Sequence, residues 1–258
     1  MLKFTTVNII FSVLLLSAIV ARFFIAFSWN VFTLILFTWF ALTVFGSAFI
    51  RWNYFFKSLS SSPNTIENQI AITFDDGPNP GFTPQILSLL KLHNATATFF
   101  CIGVHIKKYP ELFKQIIAEG HTVGNHTYTH SEGFGFFSTK KVIAELEQTN
   151  ALVKKITGLE MQLYRPVFGV TNPRIKRALK ALPLISIGWN KRSLDTRPLA
   201  VHIIKKRVTN NLKKGDIILL HDSSEKTIAV LEHLLLTLQS KQMQSVSVDT
   251  LLKIKAYV

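Results

Sequence analysis

The first 57 residues contain no aspartate or glutamate and only four bases, Lys3, Arg22, Arg51 and Lys57, and this asymmetry constrains the chain more than any other feature. Two apolar runs fill the segment. Residues 7–21 form a weakly polar-to-apolar stretch, and beyond Arg22 the pattern resumes as Phe-Phe-Ile-Ala-Phe. Residues 31–50 carry no charge, with Trp29, Trp39 and Trp52 around them. A helix that spans a bilayer needs roughly 20 apolar residues at 1.5 Å rise each. The second run meets that requirement outright; the first meets it with Arg22 snorkelling to an interface or sitting at a hairpin turn. A cleavable signal peptide competes for the first run, but no small-x-small cleavage site follows it before the second. A hairpin buried in a soluble fold competes for both. It would not gather sixteen aromatic residues into 57 positions, with tryptophan at run ends where headgroups lie. The expectation is a two-helix membrane anchor over 1–57, leaving the bilayer through 51–57, and a polar linker over 58–68.

The whole-chain averages, 48% hydrophobic and 17% charged, therefore mix two unlike parts. Soluble domains carry about a quarter charged residues. Residues 58–258 hold 25 bases and all 15 acids, the balance of an ordinary soluble domain with a basic excess. A formal charge of +14 suits a membrane surface, a nucleic acid or an acidic polymer as neighbour. The abundance of apolar residues excludes a disordered chain. A single cysteine, Cys101, excludes a disulfide-stapled one.

From residue 69 onward strand and helix patterns alternate. Residues 70–74, 96–100, 121–124, 162–165, 184–188, 216–221 and 244–248 read as seven strands. Helices are expected from Thr83 (as N-cap, with Pro84 in the first turn) to about Leu92, from about Tyr109 to Glu119 before Gly120, and over 138–157 before Gly158. Others begin near Pro173, Pro198 and Ser224. This order predicts parallel strands with crossover helices, as a doubly wound sheet or a short barrel, and both place function at the carboxyl ends of the strands.

Polar constellations fall at those ends. Asp75-Asp76-Gly-Pro follows the first strand, Asn125-His126-x-x-x-His130 the third, and Arg165-Pro-Val-Phe168-Gly169 the fourth. Trp189 and then Asp195 follow the fifth; His221-Asp222 closes the sixth. Taken singly, each has an ordinary structural explanation: a turn, a chance His pair on one helical face, a surface charge. Taken together, one carboxylate with two imidazoles makes a three-ligand site with an open position, the usual catalytic zinc arrangement. A second carboxylate beside it suits a general base and a separate histidine a general acid.

The combination Thr-Phe-Asp75-Asp76-Gly-Pro, His126-x-x-x-His130, Arg165-Pro-x-Phe-Gly169, Asp195 and Leu219-x-His221 resembles the polysaccharide deacetylases (NodB-homology carbohydrate esterases) over about 70–248. The resemblance implies an α/β fold, a distorted (β/α)7 barrel here preceded by a transmembrane helical hairpin, and metal-dependent removal of acetyl groups from N-acetylated sugars. By position, Asp75 is then the general base, and Asp76, His126 and His130 hold a divalent metal, Zn²⁺ foremost. Arg165 holds Asp75, Asp195 tunes His221, and His221 protonates the departing amine. Phe168, through a nearby backbone N–H, and Trp189 are expected at the substrate and oxyanion. Val167 stands where the family usually has proline, and Thr196 where tryptophan is common; both bear on the sugar groove.

The expected partners are an N-acetylated glycan and membrane lipid. No nucleic-acid fold signature accompanies the basic helical segments. Two other functions compete: an amide hydrolase for a small non-sugar substrate, and an inactive carbohydrate-binding protein. His121 is expected in the core or behind the ligands, and His93, His105, His202 and His233 have no partner motif. Cys101 reads as a buried small apolar residue. Lys3, Arg51 and Lys57 favour a cytoplasmic domain and a polymer outside the cell favours the opposite, so the sequence assigns no side of the membrane.

Overall fold

The computed structural model describes residues 3–26 and 28–258. Helices α1 (Phe4–Ala21) and α2 (Asn30–Ala48) contain 18 and 19 residues. At 1.5 Å per residue each is about 27–29 Å long, close to the thickness of a bilayer's hydrocarbon core. Their apolar side chains, among them Leu16, Leu34, Phe37 and Phe40, point outward into the surroundings. Arg22 caps α1 at the turn, its guanidinium 5.9 Å from the Trp29 ring. Trp39 does not mark a run end: it lies inside α2 and its Nε1 donates to Asn8 Oδ1 of α1 at 2.8 Å.

Beyond the hairpin, β1 (Gln69–Asp75), β2 (Ala97–Cys101), β3 (Thr122–Asn125), β4 (Leu163–Tyr164), β5 (Ile185–Ser186), β6 (Lys191–Arg192) and β7 (Ile217–His221) form one curled sheet in the order β5-β4-β3-β2-β1-β7-β6. A short β8 (Gln244–Ser245) pairs with the start of β1, and every pairing is parallel. The sheet is a half-barrel. Strand β6 has no mark in the sequence, because two consecutive bases show no alternation of apolar and polar residues.

Period-2 alternation divides β1 between two environments. Ile70, Ile72 and Phe74 face the helical layer, where Phe74 stacks on Phe99 at 4.9 Å and helices α3 (Thr83–Leu92) and α9 (Glu225–Ser240) cover them. Ala71, Thr73 and Asp75 face the barrel interior. By register they stand beside Ile217, Leu219 and His221 of β7, so the interior passes from apolar to ionisable toward the carboxyl ends. Each fully buried aliphatic or aromatic side chain in these layers contributes about 1.5–3 kcal/mol.

The helix expected from about Tyr109 to Glu119 is α5 (Pro110–Ala118), and an unexpected short helix, α4 (Gly103–Lys108), precedes it; Pro110 has no N–H to continue α4 and starts a new helix. Helix α6 (Thr139–Thr157) begins at Ser138, whose side chain accepts from Lys141 N, and ends at Gly158 with φ +77°. Helices α7 (Pro173–Ala181) and α8 (Val201–Thr209) follow, and α10 (Val248–Leu252) takes the end of what read as the last strand. The N-cap of α3 is Phe82 rather than Thr83, whose hydroxyl is engaged elsewhere.

Residues 58–62 of the expected linker are paired with the sheet. Leu59 bridges Ile187 in parallel and Ser61 bridges Asp216 in antiparallel sense, so this segment lies along the gap between β5 and β7. Upstream, Ile50 is buried with Trp189, Ile187 and Leu219. Thr171 N donates to Ser47 O at 3.0 Å and Ser47 Oγ to Thr171 O at 2.6 Å, tying the end of α2 to the loop after β4.

Candidate active site

The carboxyl ends of the strands surround a cleft of about 320 Å³ lined by Asp75, Asp76, His126, His130, Phe168, Trp189 and His221, together with Arg192, Thr196 and Arg197. A larger cavity of about 610 Å³ lies at the opposite, amino end of the strands near His93, away from this chemistry.

Arg165 anchors the floor. Its side chain is fully buried, and Nη1 donates to Asp75 Oδ1 at 2.8 Å and to Thr73 Oγ1 at 2.6 Å. Nη2 and Nε reach the carbonyls of Gly188 (3.0 Å) and Ile187 (3.3 Å), while the guanidinium lies 4.1 Å from the Phe100 ring centroid. Burial lowers the arginine's pKa; the adjoining Asp75 carboxylate opposes that shift.

Asp76 leaves β1 with φ +81°, which turns its carboxylate toward two imidazoles. Its Oδ1 stands 3.6 Å from His126 Nε2 and 3.4 Å from His130 Nε2, and one donor atom from each of the three residues falls within 4.8 Å of the others. His126 Nδ1 lies 3.0 Å from the Arg165 carbonyl, a contact in which Nδ1 donates and which aims Nε2 into the cluster. Ligands held at about 2.0–2.1 Å around a tetrahedral ion lie about 3.3 Å apart. The two nitrogens and one oxygen therefore fit a divalent cation such as zinc.

The His126–His130 segment is not the helical turn that i, i+4 spacing suggests. Thr127 (φ +67°) and His130 (φ +50°) fold it into a tight loop. Asn125 Oδ1 accepts from Thr127 N, and Thr127 Oγ1 from His130 N. The buried carboxylate of Glu145 accepts from Tyr128 N (3.0 Å), Thr129 N (2.8 Å) and the Thr129 hydroxyl. Glu145 sits three residues after Val142 on the apolar side of α6, where an acid demands a polar partner, and that position is its only mark in the sequence. His105 has a partner after all: its Nδ1 is 2.7 Å from the Asp76 carbonyl and holds that turn from outside. His121 lies away from the cluster and accepts from Ala97 N.

His221 closes the other side. Its Nδ1 is 2.8 Å from Asp195 Oδ1, and its backbone N–H donates to Asp195 Oδ2 at 2.9 Å. Ser193 Oγ and Thr227 Oγ1 also donate to that carboxylate. Burial disfavours the His221 cation, but the hydrogen bond and charge of Asp195 outweigh it and the pKa is raised. Burial likewise opposes ionisation of Asp195, and the His221 contacts prevail, so its pKa is lowered. His130 goes the other way: burial and the neighbouring His126 lower its pKa.

Phe168 (φ +57°) is half exposed over the cleft, its ring 5.0 Å edge-on from His130. Gly169, with φ +72°, lies so close beneath Trp189 that an added Cβ would stand 2.6 Å from the indole. Asp75, Asp76, His126, His130, Phe168, Trp189 and His221 line one cleft, while Arg165 and Asp195 lie buried behind it, bonded to Asp75 and His221. Thr196, expected at the sugar groove, lines it as well, and two residues that were not expected there join: Arg192 and Arg197. Arg192 and Arg197 sit three residues before and two after the Asp195 turn, and that proximity is the signal that was available.

Fold and cleft together define an α/β half-barrel hydrolase. A family model for polysaccharide deacetylase matches residues 62–186. A peptidoglycan-N-acetylglucosamine deacetylase of Bacillus cereus is 36% identical over 198 residues, covering 75% of this chain and 92% of that protein. The peptidoglycan-N-acetylmuramic acid deacetylase PdaC of Bacillus subtilis is 32% identical over 199 residues, 77% of this chain and 41% of its own length. The crystal structure of the Bc1960 peptidoglycan N-acetylglucosamine deacetylase superimposes with a TM-score of 0.70 at 28% identity, over 76% of this chain and 93% of that one. The chain belongs to the polysaccharide deacetylase family.

Proposed function

We propose that this protein is a membrane-anchored, divalent-metal-dependent enzyme that removes N-acetyl groups from an N-acetylglucosamine-containing glycan, with residues 1–57 as anchor and 69–258 as catalytic unit. The observation that carries the reading is the juxtaposition of Asp75 and His221 about the Asp76–His126–His130 cluster. Relatives named for peptidoglycan deacetylation support the substrate class. Two outward-facing apolar helices of bilayer length support the anchor.

Asp76, His126 and His130 would hold the cation, which when bound supplies Lewis acidity toward an acetamide carbonyl and strengthens water as a nucleophile near neutral pH. Asp75 has one oxygen committed to Arg165, and its Oδ2 remains on the cleft side, 3.8 Å from His126 Nε2. That oxygen takes the proton of the attacking water. Arg165 pairs with Asp75 and fixes its rotamer. Asp195 orients His221 with Nδ1–H inward, which presents Nε2 to the cleft as the donor that protonates the departing amine. Phe168 and Trp189 form the sugar-facing wall.

The test is acetate release by the full-length protein in detergent from chito-oligosaccharides and from simple amides. Release from the sugars, abolished by chelation and restored by Zn²⁺, is the expected result. Release from the simple amides alone would replace the sugar reading with a small-amide hydrolase, and a folded protein that binds metal yet releases nothing would leave a carbohydrate-binding role.

A further inference from the structure

The cleft contains more positive charge than the chemistry above uses. Asp75 is neutralised by Arg165, and Asp195 is shared among His221, Ser193 and Thr227. Arg192 and Arg197 line the same cleft, and among the described residues neither has a carboxylate within ion-pair distance.

Both residues are placed by local structure. Arg192 belongs to β6, in register with Leu219 of β7, and lies 5.7 Å from the Trp189 ring centroid. Arg197 sits on the turn that presents Asp195: its N–H donates to Leu194 O at 3.0 Å, and its carbonyl accepts from Lys226 Nζ at 3.3 Å. Arg207 adds a third cation nearby by donating to the Arg192 carbonyl at 3.3 Å. Desolvation and the adjoining Arg197 charge lower the pKa of Arg192, as expected for like charges held side by side. Such a pair repels until an anion enters, and the planar fork of a guanidinium matches carboxylate and phosphate oxygens. Thr196 between them keeps this wall polar and open.

We propose that Arg192 and Arg197 form an anion subsite beside the reacting centre, and that the substrate is an N-acetylated glycan with an oxyanion, carboxylate or phosphate, on or next to the sugar that is deacetylated. The inference rests on the deacetylase reading and specifies its substrate.

The experiment compares kcat/KM of the zinc-supplemented full-length protein on neutral chitotetraose, on an oligosaccharide containing N-acetylmuramic acid with a free carboxylate, and on N-acetylglucosamine 1-phosphate. One or both anionic substrates are preferred, and which one identifies the anion. Arg192→Gln and Arg197→Gln each reduce the ratio of anionic to neutral kcat/KM by roughly tenfold or more, and lysine at either position restores part of it. A readout free of turnover accompanies this: N-acetylglucosamine 1-phosphate raises the melting temperature more than N-acetylglucosamine does, and the double variant loses the difference. Both arginines are exposed, so the variants fold like the parent. Equal kcat/KM on the neutral and anionic substrates, or a proportional loss on all three in the variants, overturns the subsite and leaves the deacetylase reading standing. Absence of acetate from every substrate overturns that reading itself.

Discussion

Arg165 and Asp75 form a buried ion pair, Nη1 to Oδ1 at 2.8 Å, in which the arginine is fully enclosed and the carboxylate retains one oxygen for the cleft. The pair is structural and chemical together, because the cation that steadies the proposed base also fills the space between Phe100 and Trp189.

Removing one partner leaves the other charged and buried. Arg165→Met is expected to destabilise the fold by about 3–5 kcal/mol and to abolish turnover. Urea unfolding and acetate release measure the two effects; a variant as stable as the parent would mean that this ion pair does not hold the floor of the cleft together.

Asp75→Asn separates chemistry from metal binding. Zinc content should stay at the parental level while kcat falls by about 10²–10⁴, the usual contribution of a positioned base. His126→Ala and His130→Ala should instead lose zinc. Elemental analysis beside activity distinguishes the two classes, and full activity of the Asp75 variant would refute its role.

Asp195→Asn acts through His221. The hydrogen bond and charge of Asp195 raise the imidazole pKa, so their loss lowers it, and the basic limb of the pH–rate profile should move to lower pH with reduced kcat. The stability conferred on the imidazolium has the same sign. It is complete below the unfolded value of 6.5 and fades as pH rises through the higher folded value. Melting temperature against pH in parent and variant reads this directly.

Asp222 behaves oppositely to an exposed acid. It is fully buried, one oxygen accepts from Thr83 Oγ1 at 2.5 Å, and the other has no partner among the described residues. Burial pushes its pKa from 3.8 up to about 7. Between these values the folded state retains a proton that the unfolded state has released, so raising the pH across that window costs stability. Asp222→Asn should flatten the stability profile there, checked by denaturant unfolding at several pH values; an unchanged slope would assign the loss to other groups.

The most legible part of the site was the part set at strand ends. Asp75, Arg165 and His221 follow apolar runs whose register could be counted, and parallel topology then puts them on one rim. The His126–His130 spacing was informative as a motif, but its geometry was not, because positive-φ residues and the Glu145 carboxylate shape that loop and neither follows from spacing. Strand β6 and the Arg192 side chain were hidden for a related reason. Two-residue strands are fixed by neighbours on the sheet rather than by their own pattern. Thr83 reads as an N-cap in one dimension; in three its hydroxyl serves Asp222, 139 positions away.

The pairing of Leu59 and Ser61 with the sheet, together with the Ser47–Thr171 contacts, removes slack between hairpin and catalytic unit. If the hairpin is an anchor, as proposed, a long leash would let the enzyme roam outward through a polymer, whereas this connection acts as a fixed stalk. Thr171 is only two residues from Gly169 on the cleft wall, so at roughly 3.3–3.6 Å per residue the wall lies within about 7 Å of its contact with the end of α2. With the hairpin in a bilayer as proposed, the glycan has to come to the enzyme, and reach along the membrane normal becomes part of its selectivity.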